Sequence, residues 1–452
     1  MKKQMILSAL DMSCVGFLAQ GVWTHPADRS TELNTLDYWI EYARLLERGL
    51  FDMLFIADNI GVYDVYGGSA AASVKGGVQI PMNDPSVVIG AMAAATKHLG
   101  FGITGNLVYE PPYLFARRMS TLDHMTGGRI GWNIVTGILQ SGARAMGRQA
   151  LVPHDERYDI ADEFMELMYK LWETSWEEGA VLVDREHGRY ADPDKVHVIR
   201  HEGKYYRLEA VHPCIPSPQR TPFLLQAGSS GRGKEFAAAN AECVFVNGVS
   251  KSVVAGNVAD LRRRAAEVGR SPTDIKVLAG ATIIVGRTEA EAREKLEEYR
   301  RYADPEAVLA HAAGGLGVDL SKYPLDEPIR YEENDANRTA MAMLTRNGEG
   351  GYTPRKIAEE MALSARNLLI VGSVEQVVDE LADWMEKTGI AGFNVARLIM
   401  PDSLKDFIDL VIPALQECGL YKTEYREGTL RDKLTGNGPR LSAPHPAATI
   451  GR

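Results

Sequence analysis

The residues of this chain best suited to chemistry stand at the ends of short apolar runs. Asp58 follows FIA, Thr104 and Asn106 follow FGI, Asn133 and Thr136 close IGWNIVT, Gln226 and Ser229 follow FLL, and Asn247 follows VFV. A polar group at the C-terminal end of a buried strand is where α/β enzymes hold substrates and cofactors. Taken singly, each also suits the cap of a following helix; in a closed barrel all of them face one mouth. The segment AGSSGRG (227–233) has the composition of an anion site. Small residues let a phosphate approach the backbone, and a helix start offers unpaired N–H groups. Arg232 adds a cation there, and it stands where a G-x-S-x-G nucleophile elbow needs its last glycine, which argues against a serine hydrolase. PHDERYD (153–159) opens an amphipathic helix whose His154, Arg157 and Tyr158 could reach a phosphate or carbonyl at the same mouth. No metal site is expected. His197 and His201 form an H-x-x-x-H pair, but VHVIRHEGKYYRL reads as a hairpin, where the two rings would be about 13 Å apart.

These residues need a frame, and the pattern supplies one. In Pro111–Gly137 the prolines suit a helix start. Phe115, Met119, Leu122 and Met125 recur at helical spacing, and Gly127 and Gly128 suit the left-handed stop. Ile130–Val135 is then a short strand. Similar alternation recurs with strand runs at Met5–Ala9, Met53–Ala57, Gly100–Thr104, Phe223–Ala227, Cys243–Val246, Ile275–Val285, Leu368–Val371 and Gly392–Ala396. About eight strands alternating with helices predict a parallel sheet. The glycine fingerprint that a dinucleotide-binding sheet carries at the turn after its first strand is missing, so a (β/α)8 TIM barrel is favoured over an open doubly wound sheet. The expected organisation is one barrel domain over 1–433, with insertions at about 175–219 and 287–366. A C-terminal tail, 434–452, follows, and the segment from Tyr425 reads as an arm.

Composition narrows the function classes. Apolar residues make up 45% and charged residues 24% of the chain, with a net charge of −10, which argues against nucleic-acid binding. No apolar run of membrane-spanning length occurs, and the N-terminal run is interrupted by Ser8 and Asp11. Four scattered cysteines fit a reducing, cytoplasmic setting.

Five blocks carry a family resemblance: FDMLFIAD (51–58), NDPSVVIGAMAAATKHLGFGIT (83–104), PPYLFARRMSTLDHMTGGRIGWNIVT (111–136), HDERYDIADEF (154–164) and SPQRTPFLLQAGSSGRG (217–233). Together they resemble the bacterial luciferase-like, two-component flavin-dependent monooxygenases. The subgroup is that of the nitrilotriacetate, dibenzothiophene-sulfone, dimethyl-sulfide and long-chain alkane enzymes. MSCVG (12–16), YDVYGGS (63–69) and VQIPMND (78–84) are most similar to the alkane and dimethyl-sulfide branch.

The resemblance implies a (β/α)8 barrel with insertions that uses FMN as FMNH2, delivered by a separate NAD(P)H:flavin reductase, together with O2. Oxygen transfer would pass through a C4a-peroxyflavin to a small hydrophobic, organosulfur or aromatic substrate. Carried over by position, Ser229, Ser230, His154 and Tyr158 would hold the phosphate. Asp58 and Thr104 would lie by the flavin ring, with Asn133 and Thr136 as neighbours. Cys14, Phe17, Tyr63, Gln79, Asn83 and Ile138 would line the substrate pocket, and His311 would stabilise or protonate the activated cofactor. Phe17 and Ile138 stand where the alkane enzyme is expected to have histidines, which implies a more apolar pocket. Family habit implies a homodimer or homotetramer. Two other readings share the barrel: an F420-dependent oxidoreductase and a non-catalytic flavin-binding subunit.

Overall fold

A computed structural model describes residues 4–228, 230–248, 250–330 and 351–450. Eight parallel strands form the barrel: β1 (Ile6–Met12), β2 (Met53–Ala57), β3 (Gly100–Asn106), β4 (Ile130–Val135), β5 (Phe223–Gln226), β6 (Cys243–Val246), β7 (Lys276–Gly286) and β8 (Gly392–Ala396). Each pairs with the next, and β8 returns to β1 with Ile6 opposite Gly392, so the sheet closes. The expected barrel is therefore the observed fold, and the open sheet is not.

One strand expected in the alternating series lies elsewhere. Leu368–Ser373 pairs with β7 only from Ala281 onward, where β8 already occupies the opposite edge through Thr282. Since β6 ends at Val246, opposite Ala279, Leu368–Ser373 takes over its edge above the mouth. The cause is the length of β7, whose 11 residues outrun its neighbours.

The outer layer consists of α1 (Leu36–Arg48), α2 (Ser86–Ala95), α3 (Pro112–Thr126), α4 (His154–Tyr169), α5 (Gly231–Asn240), α6 (Lys251–Glu267), α7 (Val374–Thr388) and a last helical run over 402–417. Local chemistry explains their ends. Pro112 opens α3 and Gly127 closes it at φ 64, as its sequence predicts. Ser373 and Gln376 form a reciprocal capping box on α7. The apolar face of α3 is narrower than expected, however: Phe115 and Met119 are buried, whereas Met125 is 70% exposed. The turn containing Met125 buries Asp123 and Thr126 instead.

Inside the barrel, Met53, Phe55, Phe223, Leu225, Cys243, Phe245 and Leu278 form one cluster. Phe55 and Phe245 stack at 4.5 Å between centroids. Glycine makes room for this layer: a β-carbon on Gly102 would meet Leu225 Cδ1 at 2.6 Å. The strands read as near-continuous apolar runs because both sheet faces are buried.

The segment 175–219 forms two hairpins, Val181–Asp184 with Arg189–Ala191 and Ile199–Glu202 with Arg207–Ala210. His197 and His201 turn to different partners, Glu177 at 2.7 Å and Glu163 at 3.1 Å. The described part of 287–366 contributes the helices Glu289–Arg300, Pro305–Leu316 and Pro354–Glu360. The C-terminal segment is not the arm its composition suggests. Tyr425 stacks on His98 at 4.8 Å, Leu430 and Leu434 enter the lumen cluster, and His445 is buried against Asn240. A boundary at 433 would cut the helix Leu430–Thr435.

Candidate active site

At the mouth of the barrel, β2, β3 and their following loops enclose a cavity of about 610 Å³. Asp58, Asn59, Gln79, Asn83, Thr104 and Glu110 are among its walls. Asp58 sits just past β2, half-buried, and burial pushes its carboxyl up to about 7, with the nearby Asp84 and Glu110 charges adding to the effect. Perturbed carboxyls in a cleft mark candidate functional sites.

Thr104 and Asn133 sit side by side on β3 and β4. The Thr104 hydroxyl donates to the Ile56 carbonyl at 3.3 Å, and Asn133 Nδ2 donates to Thr104 Oγ1 at 3.0 Å. Both directions follow from chemistry, because a carbonyl only accepts. Asn133 Oδ1 is consequently a buried acceptor without a partner among the described residues, as is Gln226 Oε1 at the end of β5. Thr136 follows β4, half-buried.

A second set gathers at the N-terminus of α5. Ser230 caps the helix by accepting from Gly233 N at 3.0 Å. A helix start leaves further N–H groups without intrahelical partners. The Tyr158 hydroxyl bonds with Ser230, and β-carbons on Gly228 or Gly233 would lie 3.3 or 2.7 Å from it. Glycine at both places is what lets the phenol reach the turn. His154 meets the Tyr158 ring edge-on at 5.4 Å and bonds Asp155 at 2.7 Å. Arg232, expected to add a free cation, is paired with Asp162 and lies over the Tyr158 ring at 5.6 Å. Ser229 lies outside the described residues.

The substrate-side residues divide. Gln79 and Asn83 line the cavity; Asn83 Nδ2 donates to Asn34 Oδ1 at 2.7 Å. Tyr63 and His311 stand behind Gln79, with their rings 5.3 Å apart. Burial lowers the His311 pKa to about 4, with the Arg366 cation contributing in the same direction, so the ring is neutral near pH 7. Cys14 and Phe17 belong to an apolar cluster with Met12 and Ala396, while Ile138 packs in another with Tyr63 and Val78. Sequence reasoning passed over Asn59, which donates to both Tyr63 Oη and Gln79 Oε1. Its signal was available: it is the polar residue directly after Asp58. The Arg157 guanidinium, a phosphate candidate by sequence, donates instead to the Gly137 carbonyl and braces the loop after β4.

Among the described residues, no group of three or more His, Cys, Asp or Glu is placed to hold a metal ion, and no helix is long and apolar enough to cross a membrane. A closed parallel barrel with a roomy cleft at the C-terminal ends of its strands defines the class of (β/α)8 barrel enzymes. Comparison narrows that class. The luciferase-like monooxygenase family matches residues 15–392. The chain is 46% identical over 451 residues to dimethyl-sulfide monooxygenase of Hyphomicrobium sulfonivorans, covering 99% of this chain and 94% of the relative. It is 47% identical over 451 residues to long-chain alkane monooxygenase of Geobacillus thermodenitrificans (99% and 98% covered). A solved riboflavin lyase with modified FMN and riboflavin is 37% identical, with TM-score 0.93 and 99% of both chains covered. This chain belongs to the luciferase-like monooxygenase family.

Proposed function

We propose that this protein is the oxygenase component of a two-component system. It takes FMNH2 from a separate NAD(P)H:flavin reductase and uses O2 to oxygenate a small hydrophobic, organosulfur or aromatic substrate. The observation that carries the cofactor reading is the Tyr158–Ser230 contact at the start of α5, beside His154. Helix N–H groups, a hydroxyl, a phenol and an imidazole are the donors a phosphate needs. Asn133 Oδ1 and Gln226 Oε1, acceptors without a partner among the described residues, suit the N–H and hydroxyl groups of a flavin and its side chain. Membership of the family supports the oxygenase reading, and similarity to a protein solved with modified FMN supports the cofactor.

When bound, the flavin supplies the activation of oxygen. The chain's part is to bind and orient. Tyr158, Ser230 and His154 hold the phosphate, and Asp58, Thr104 and Asn133 flank the ring. The clusters containing Phe17 and Ile138 keep water from the substrate side, which protects reactive species from hydrolysis. In this proposal His311 is the catalytic residue, and Cys14, Phe17, Tyr63, Gln79, Asn83 and Ile138 shape the pocket. The same reading includes Ser229 and Thr136 at the cofactor, a cytoplasmic setting with reduced cysteines, and a homodimer or homotetramer.

Replacing His154 and Ser230 with alanine tests the phosphate assignment. Each hydrogen bond to a charged group contributes about 1.5–3 kcal/mol, so each single variant is expected to bind FMNH2 roughly 10-fold to 100-fold more weakly. Anaerobic titration reads this directly. Wild-type affinity in the double variant would overturn the assignment, and tighter binding of F420 than of FMN would overturn the cofactor.

A further inference from the structure

The substrate-side wall contains a chain of amides whose donors and acceptors follow from the Phe17 carbonyl at one end. Gln79 Nε2 lies 3.3 Å from the Phe17 carbonyl oxygen, which can only accept, so the nitrogen end of the amide faces it. The same nitrogen lies 3.2 Å from His311 Nε2. Because the amide nitrogen carries two hydrogens and no acceptor, His311 Nε2 must be the lone-pair nitrogen of the ring. Gln79 Oε1 is thereby turned toward Asn59, whose Nδ2 donates to it at 3.1 Å. The second Asn59 hydrogen goes to Tyr63 Oη at 3.2 Å. Gln79 itself stands in the left-handed region at φ 48, its backbone N–H donating to the Gly16 carbonyl at 2.9 Å. A non-glycine residue held there is a feature that functional sites concentrate.

We infer that Asn59 is a positioning residue: its side-chain amide, together with the Phe17 carbonyl, fixes the orientation of Gln79 and, through it, holds His311 as the Nδ1–H tautomer. The network joins three separate parts of the chain. Phe17 comes from the loop after β1, Asn59 and Tyr63 from the loop after β2, and His311 from the insertion helix Pro305–Leu316. Asn59 is also the direct neighbour of Asp58 on the cavity wall. A neutral imidazole offers one donor and one acceptor, and the partner of one nitrogen decides which is which. With Nε2 committed to Gln79, the only proton His311 can offer is the one on Nδ1. That this proton serves oxygen transfer rests on the proposed function; the tautomer does not.

Long-range proton–nitrogen NMR on histidine-labelled protein, without cofactor, reads the two ring nitrogens separately. In the wild type, His311 Nε2 is expected in the unprotonated range and Nδ1 in the protonated range. Asn59→Asp offers a carboxylate that can accept but not donate. Gln79 is then expected to turn its nitrogen toward residue 59 and its oxygen toward His311, moving the ring proton to Nε2. Turnover in that variant is expected to fall by about 100-fold, the order of effect of a misplaced catalytic group, while FMNH2 affinity stays at the wild-type value. Asn59→Ala, which keeps neither donor, is expected to give averaged nitrogen shifts from mixed tautomers. A wild-type His311 with its proton on Nε2 would overturn the inference, as would wild-type ring signals in Asn59→Asp. Should the ring shift as expected in a protein that oxygenates no substrate, the functional reading fails and the positioning role of Asn59 stands.

Discussion

Arg431→Met is expected to destabilise the protein by about 3–5 kcal/mol, the usual consequence of removing one partner from a buried ion pair. Arg431 and Glu242 meet in two parallel contacts, Nε to Oε1 at 2.7 Å and Nη2 to Oε2 at 2.9 Å, and both side chains are buried. The guanidinium also donates to the carbonyls of Thr221, Pro222 and Pro439, which leaves it few unsatisfied protons. Glu242 accepts from Leu224 N at 3.0 Å, so the pair ties the C-terminal segment to the start of β5. Methionine would fill much of the volume and leave Glu242 as an uncompensated buried charge. The double variant Arg431→Met, Glu242→Gln removes that charge and is expected to regain most of the loss. Urea unfolding of the three proteins measures both statements. A single variant that unfolds at the wild-type midpoint would mean that the pair is not buried in solution.

That segment also shows where sequence reading runs out. Its Pro, Gly and charge content resembles an arm because burial of Arg431 depends on Glu242, 189 residues away. No local pattern encodes such a pairing. The opposite holds for α3 and β4, whose prolines, paired glycines and apolar spacing are all local, so their bounds could be read directly. Leu368–Ser373 has the composition of a barrel strand, yet the length of β7 decides that it sits above the mouth. The same contrast divides the site. Asp58, Thr104 and Asn133 could be expected at the mouth because a polar residue after an apolar run is a local signal, whereas Ser230 was implied only by the family resemblance. The Asn59–Gln79–His311 chain was not, since its links span 20 and 232 positions and pass through a left-handed glutamine rather than a glycine.

Asp58→Asn is expected to stabilise the protein above about pH 7, which is the second large effect. Burial lifts the folded-state pKa of Asp58 to about 7, against about 4 in an unfolded chain. Between these values the folded protein holds a proton that the unfolded chain has released. Stability therefore falls as pH rises from about 4 to 7 and levels off beyond, because the charged form pays the desolvation cost. Each unit corresponds to about 1.4 kcal/mol; discounted for the partial solvent contact of the side chain, the penalty at pH 8 is about 2 kcal/mol. Asparagine cannot ionise, so the two stability curves should coincide near pH 4 and separate by that amount at pH 8. Parallel curves would show that Asp58 titrates normally. A carboxylate that costs stability at neutral pH, on the wall of the cleft at the mouth, is a group retained for what it binds or protonates. The stabilised Asp58→Asn protein is accordingly expected to lose oxygenation while remaining folded, and retention of full turnover would remove Asp58 from the active site.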